Sequence, residues 1–147
     1  MKKAGRVSLL SLIVIAVVLI GGAVVLLLIV PDSPESAATQ FFSALATGNV
    51  DKLVSLSDMG DETPDQVRAQ WQFATHDAGK YYQFIFQVDS SSQTDATDAS
   101  VKVQMLRNPD KPGGYMETFD IPMVKKNDGW KVDVRAVNRT IYPALPE

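Results

Sequence analysis

Tyr82-Gln83-Phe84-Ile85-Phe86-Gln87-Val88 is where this chain changes period. Tyr82, Phe84, Phe86 and Val88 fall on one face at two-residue spacing, the mark of a half-buried strand. Before this stretch the apolar residues recur at helical spacing, and after it they alternate. The segment therefore separates a helical half from a strand half, and that order argues for an α+β fold.

Working upstream, Thr63-Pro64-Asp65-Gln66 reads as a capping box with proline at the first helical position. Val67, Trp71 and Ala74 follow at helical spacing, and the helix is expected to end near Gly79. Asn49 caps a shorter helix carrying Val50, Leu53, Val54 and Leu56. Ser33-Pro34-Glu35 opens the first helix, whose stripe is Ala38, Phe41, Phe42 and Leu45 and whose stop is Gly48.

Working downstream, Asp89 to Asp98 reads as a polar turn. A second strand sets Ala99, Val101, Val103 and Met105 against Ser100, Lys102 and Gln104. A third, Tyr115 to Val124, faces Tyr115, Phe119, Ile121 and Met123 one way. The hairpin turn Lys126-Asn127-Asp128-Gly129 leads into a fourth, with Trp130, Val132, Val134 and Ala136 on one side. The pattern predicts three helices packed on a curved, mostly antiparallel four-stranded sheet.

Ahead of this domain, residues 7–30 form an uncharged, mainly apolar run, preceded by Lys2, Lys3 and Arg6 and followed by Pro31-Asp32. As a helix the run is about 36 Å long, enough to cross a hydrocarbon core of roughly 30 Å. Its only small-residue cluster, Gly21-Gly22-Ala23, lies within the run, so the expectation is an uncleaved signal anchor rather than a removable leader. The preceding cations orient the N-terminus inside and the domain outside the cytoplasmic membrane. The chain is thus divided into a basic cytoplasmic segment (1–6), a transmembrane helix (7–30), an extracytoplasmic domain (31–137) and an extended tail (138–147).

All 17 acidic residues follow the apolar run, together with all but three of the 14 basic ones. An acidic domain is a poor partner for nucleic acid. With no cysteine in the chain, disulfides, thiolate metal sites and a cysteine nucleophile are excluded. No cofactor-binding motif or metal-ligand spacing is apparent.

Ala37 to Leu53, with its Gly48-Asn49 break, and Val124 to Val132, with Gly129-Trp130-Lys131 after the turn, carry a resemblance. This order resembles the cone-shaped nuclear transport factor 2-like superfamily, in particular its small membrane-anchored bacterial envelope members, over about residues 34–137. The resemblance implies a curved sheet closed by helices around an inward-facing cavity. Superfamily members include isomerases, dehydratases, ligand-binding domains and structural modules, so it implies a fold more than an activity.

Within such a cone two residues are candidates for proton transfer. Glu117 shares the apolar face of the third strand, where a carboxyl among apolar neighbours gains basicity; the alternative is a rim carboxylate. His76 lies at the tail of the third helix, where a solvated histidine is the plainer reading. Tyr82, Phe84, Phe86, Tyr115, Phe119 and Trp130 either line an apolar ligand pocket or form ordinary core. In the tail, Ile141, Tyr142 and Leu145 either dock on a neighbouring protein or fold back over their own sheet. Gly21, Gly22 and Ala23 are candidates for close helix contact within the membrane.

The first expectation is therefore a non-enzymatic accessory or scaffold subunit, anchored in the bilayer through residues 7–30. Its partner would be an integral membrane complex of energy-transducing, transport or envelope type. Binding of an apolar molecule, a lipid or a cell-wall fragment in the cone is the alternative, and an isomerase- or hydratase-like enzyme is a third.

Overall fold

A computed structural model describes residues 32–147. The expected transmembrane run, with Gly21, Gly22 and Ala23, lies outside the described residues. Among these, no helix is long and apolar enough to cross a membrane.

The helical half begins with α1 (Pro34–Thr47). The Ser33 hydroxyl accepts the Ser36 amide at 3.1 Å, and Gly48 ends the helix in the left-handed region at φ 69°. Helix α2 (Val50–Leu56) starts at once, its Lys52 amide donating to the Asn49 side chain at 3.1 Å. Helix α3 (Pro64–Gln72) carries the predicted capping box. It then widens into a π-helical turn, Phe73–Asp77, and a 3-10 turn, Gly79–Tyr81. Tyr82 therefore closes a turn and does not begin a strand.

Strands β2 (Phe84–Gln93), β3 (Asp98–Arg107), β4 (Glu117–Lys126) and β5 (Gly129–Asp133) form an antiparallel meander. Two departures from the sequence pattern stand out. The predicted polar turn from Asp89 is mostly strand: β2 continues past a bulge between Val88 and Ser90 and pairs through Gln93 with Ala99. Its serines show no hydrophobic alternation, and the ladder to β3 carries the extension instead. The sheet also has a fifth strand among the described residues. Ser57–Asp58, β1, lies parallel to β5, pairing Ser57 with Val132, and two residues are too few to show a period.

The helices cover one face of the sheet. Phe41 and Phe42 of α1, Leu53 of α2 and Trp71 of α3 meet Val101, Val103 and Met105 of β3 and Ile121 and Met123 of β4, all nearly inaccessible to water. The rings interlock edge to face, with centroids 5.3 Å apart for Phe41 and Phe42 and 5.6 Å for Phe41 and Trp71. One polar chain runs through this core: the Trp71 indole donates to the Ser57 hydroxyl at 3.1 Å, which donates to the Leu53 carbonyl at 2.6 Å. At the start of α1, the Ser91 hydroxyl donates to Glu35, holding that carboxyl below its ordinary range.

The tail takes the second of its two expected courses. Ile141, Tyr142 and Leu145 are buried within their own domain, a correction to their candidacy as partner contacts. Arg139 donates at 2.7 Å to the carbonyls of Leu145 and Pro146, and the Glu147 amide donates to Gln70 of α3 at 3.1 Å. Folding back removes three large apolar side chains from water, a gain an exposed tail forgoes.

Candidate functional site

Side chains of the helices and of the inward sheet face form the core, and at one end of the sheet, the mouth of the cone, the surface is concave. There, where β2 starts, β3 ends and the tail passes over, lies a cleft of about 430 Å³. Its walls include Tyr82, Phe84, Tyr115, Glu117, Arg107 and Tyr142. An adjoining cleft of about 560 Å³, sharing Tyr82, Phe84 and Tyr142, is bounded by Gly48, His76 and Lys80.

Each wall has a local cause. Phe84 is the first inward residue of β2, and its ring lies 6.2 Å from that of Tyr142. Tyr82 meets the same tyrosine edge to face, with ring centroids 5.3 Å apart. Tyr142 is held by its hydroxyl, which donates to the Ala74 carbonyl at 2.7 Å. Burial pushes this phenol up to about 12, with the neighbouring Tyr82 adding to the effect. Tyr115 precedes β4 in the loop from Asn108, and the residue is 72% exposed. In that loop Asn108 takes a positive φ of 50°, and its amide donates to the Gln83 carbonyl at 2.8 Å. This hydrogen bond ties the loop to the start of β2.

Glu117 keeps the face that alternation assigns to it, with Phe119, Ile121 and Met123. Its surroundings, however, are not apolar. Arg107, two residues beyond the Met105 that pairs with Glu117, forms an ion pair with the carboxylate. The same guanidinium donates to the Thr140 carbonyl at 2.7 Å, so it links β3, β4 and the tail. Asp120 lies on the opposite face and meets Lys102 at 3.2 Å.

The other aromatic candidates separate. Phe86 packs beneath the mouth on Phe42, with centroids 5.6 Å apart. Phe119 is half-buried against the core, and Trp130 is buried on the far hairpin with the Lys125 ammonium 5.7 Å from its ring centre. None of these three lines either cleft. His76 is exposed on the π-helical turn and borders only the second cleft, whereas Glu117 borders only the first. The two candidates for proton transfer are therefore not brought together. Among the described residues, no three histidine, aspartate or glutamate side chains gather as metal ligands.

Sequence reading missed Tyr81, Arg107 and Lys111 at the mouth. The signal for Arg107 was available, since continuing the alternation of Val101, Val103 and Met105 by one step places it inward. Tyr81 and Lys111 lie in turns, where no periodicity points to them.

The chain matches the family described as protein of unknown function DUF2950 over residues 30–143. No curated protein matches it. Among solved structures it is similar to a protein of Thiobacillus denitrificans described as a calcium/calmodulin-dependent protein kinase type II association domain. That likeness has a TM-score of 0.51 and 15% identity, covering 68% of this chain and 89% of the other. A Campylobacter jejuni protein described as a nuclear transport factor 2-like transpeptidase gives a TM-score of 0.47 and 18% identity over 68% and 96%. A nuclear transport factor 2-like protein of unknown function from Shewanella oneidensis gives 0.48 and 12% over 66% and 88%. At these identities the likeness bears on fold alone. The chain is a member of the DUF2950 family, and its domain is similar in fold to the Thiobacillus denitrificans protein.

Proposed function

We propose that this protein is a membrane-anchored, non-enzymatic binding module whose cone mouth receives a small molecule with an apolar body. The observation that carries the reading is the tyrosine-walled cleft of about 430 Å³ at the mouth of the cone. That size falls in the range of small-molecule sites, roughly 300–1,000 Å³, and such sites combine apolar walls with a few polar groups. Phe84, Ile141 and the tyrosines supply the walls; Arg107, Asn108 and Glu117 supply the polar groups. The separation of His76 from Glu117, and the ion pair that occupies Glu117, favour binding over proton transfer.

In this reading residues 7–30 are an uncleaved anchor in the cytoplasmic membrane, with the N-terminus inside and the domain on the periplasmic or extracellular side. The apolar run and the three cations before it support that placement. Native mass spectrometry of the full chain, released from lipid nanodiscs, tests the binding reading. It is expected to show a bound small molecule of constant mass, lost when Phe84 is replaced by Asp. A bare chain under all preparations overturns it. Alkaline phosphatase fused after Glu147 tests the orientation, because the fusion is active only outside the cytoplasm.

A second reading has its own observation. Tyr81, Tyr115 and Met116 stand 69%, 72% and 42% exposed at or beside the mouth, and exposed aromatics of this kind anchor protein interfaces. They favour an accessory subunit resting on an integral membrane complex. Gentle extraction that recovers a stoichiometric protein companion, lost on replacing Tyr81 and Tyr115 by Ser, supports that role.

A further inference from the structure

The charge at the cone mouth is opposite in sign to that of its domain. All 17 acidic residues of the chain follow the apolar run, yet only one of them, Glu117, lines either of the two adjoining clefts. Three cations line them: Arg107 and Lys111 in the first, Lys80 in the second. Glu117 is already taken by Arg107, so the pair is close to neutral. Among the described residues neither Lys80 nor Lys111 lies within ion-pairing distance of a carboxylate. Asp77 and Asp110, near them in sequence, line neither cleft.

We infer that the mouth selects an organic anion with a flat apolar body, the body lying among Tyr82, Phe84 and Tyr142 and the acid group facing Lys80 and Lys111. The inference rests on the reading of the mouth as a binding site. Tyrosine walls by themselves also suit a cation, which ring faces attract. One ring at the mouth is already engaged in this way: the Lys80 ammonium stands 5.0 Å from the centre of the Tyr81 ring. A ligand cation would enter beside Lys80 and Lys111 and be repelled by both. An anion meets two ammonium groups that pair with no carboxylate among the described residues, at a site whose apolar walls exclude part of the screening water. Because both lysines remain exposed, the attraction is screened by salt.

The test uses the full chain in phosphatidylcholine nanodiscs, with empty nanodiscs as the blank. 2-Naphthoate, neutral 2-naphthylmethanol and cationic 2-naphthylmethylammonium are titrated calorimetrically. The naphthoate is expected to bind at least ten-fold more tightly than the alcohol, a difference of about 1.4 kcal/mol, and more tightly still than the amine. Raising the salt should narrow that gap. The double substitution Lys80→Gln with Lys111→Gln, both at exposed turn positions, should abolish the preference for the naphthoate over the alcohol. Equal or tighter binding of the alcohol or the amine overturns the anion selection while leaving the cleft a binding site. A preference that survives in the double variant also overturns the assignment to these lysines. If none of the three compounds binds, the anion inference and the binding reading beneath it both fail.

Discussion

The hydroxyl of Tyr142 donates to the carbonyl of Ala74 at 2.7 Å, joining the last ten residues of the chain to the π-helical turn that follows α3. Tyr142 is 2% exposed, and its ring forms a common wall of both clefts at the cone mouth. The tail is thereby part of the core and of the candidate site together. Tyr142→Phe removes the donor and leaves a buried carbonyl unpaired, at an expected cost of about 1–2 kcal/mol. Urea unfolding at neutral pH measures it, and an unchanged midpoint would show that water replaces the lost partner.

The same tyrosine predicts an alkaline limit to stability. Its folded-state pKa of about 12 lies above the ordinary 10.0, so ionisation favours the unfolded chain. Its contribution is complete below pH 10 and is lost as the pH rises from about 10 to 12. Two units correspond to roughly 2–3 kcal/mol. Urea midpoints between pH 8 and 11.5 should fall more steeply for the native chain than for Tyr142→Phe. Parallel slopes would mean that other groups cause the decline.

Trp71 and Ser57 form one unit within the core. Ser57→Ala strands the indole N–H in apolar surroundings and should cost about 1–3 kcal/mol. Adding Trp71→Phe removes the stranded donor, so the double variant should be more stable than the sum of the two single losses. A double-mutant cycle by chemical denaturation gives the coupling; strict additivity would remove any role for the bond.

Gly48 and Gly129 are expected to resist replacement to different degrees. At Gly48, φ is 69° and an added Cβ meets only ordinary contacts, the nearest at 3.8 Å, so Gly48→Ala should cost about 1–2 kcal/mol from backbone strain alone. At Gly129, φ is 117° and a Cβ would overlap the Asp32 carboxylate, which also accepts the Trp130 amide at 3.1 Å. Gly129→Ala should therefore lower the melting temperature more than Gly48→Ala.

Arg107 and Glu117 should behave unequally although they are partners. The ion pair is partly exposed, 39% and 28% for the two side chains, so Glu117→Gln should change stability by less than about 1 kcal/mol. Arg107→Ala also releases the Thr140 carbonyl, and amide exchange in residues 138–147 should quicken. Equal exchange in both variants would place the tail's anchorage elsewhere.

How the chain can be read in advance follows from the range of the forces concerned. Helix starts at Ser33, Asn49 and Thr63 were legible because a cap is satisfied within three residues. The inward faces of β3 and β4 were legible because successive strand side chains alternate. The serine-rich end of β2 was not: Ser90, Ser91 and Ser92 carry no apolar signal, and their strand conformation comes from pairing with Lys102, Val101 and Ser100. Nor was the pairing of β1, which rests on two residues far from it in sequence.

At the mouth the division is the same. The sequence alone determined that Glu117 shares a face with Phe119 and Ile121, since that depends only on parity along one strand. Only the tertiary structure decided that Arg107 would neutralise it, that Phe86 would be core and Phe84 wall, and that Tyr142 would close the cone. Those outcomes depend on which distant segments arrive beside one another. Periodicity records how each segment meets water, and it carries no record of which neighbour takes the water's place.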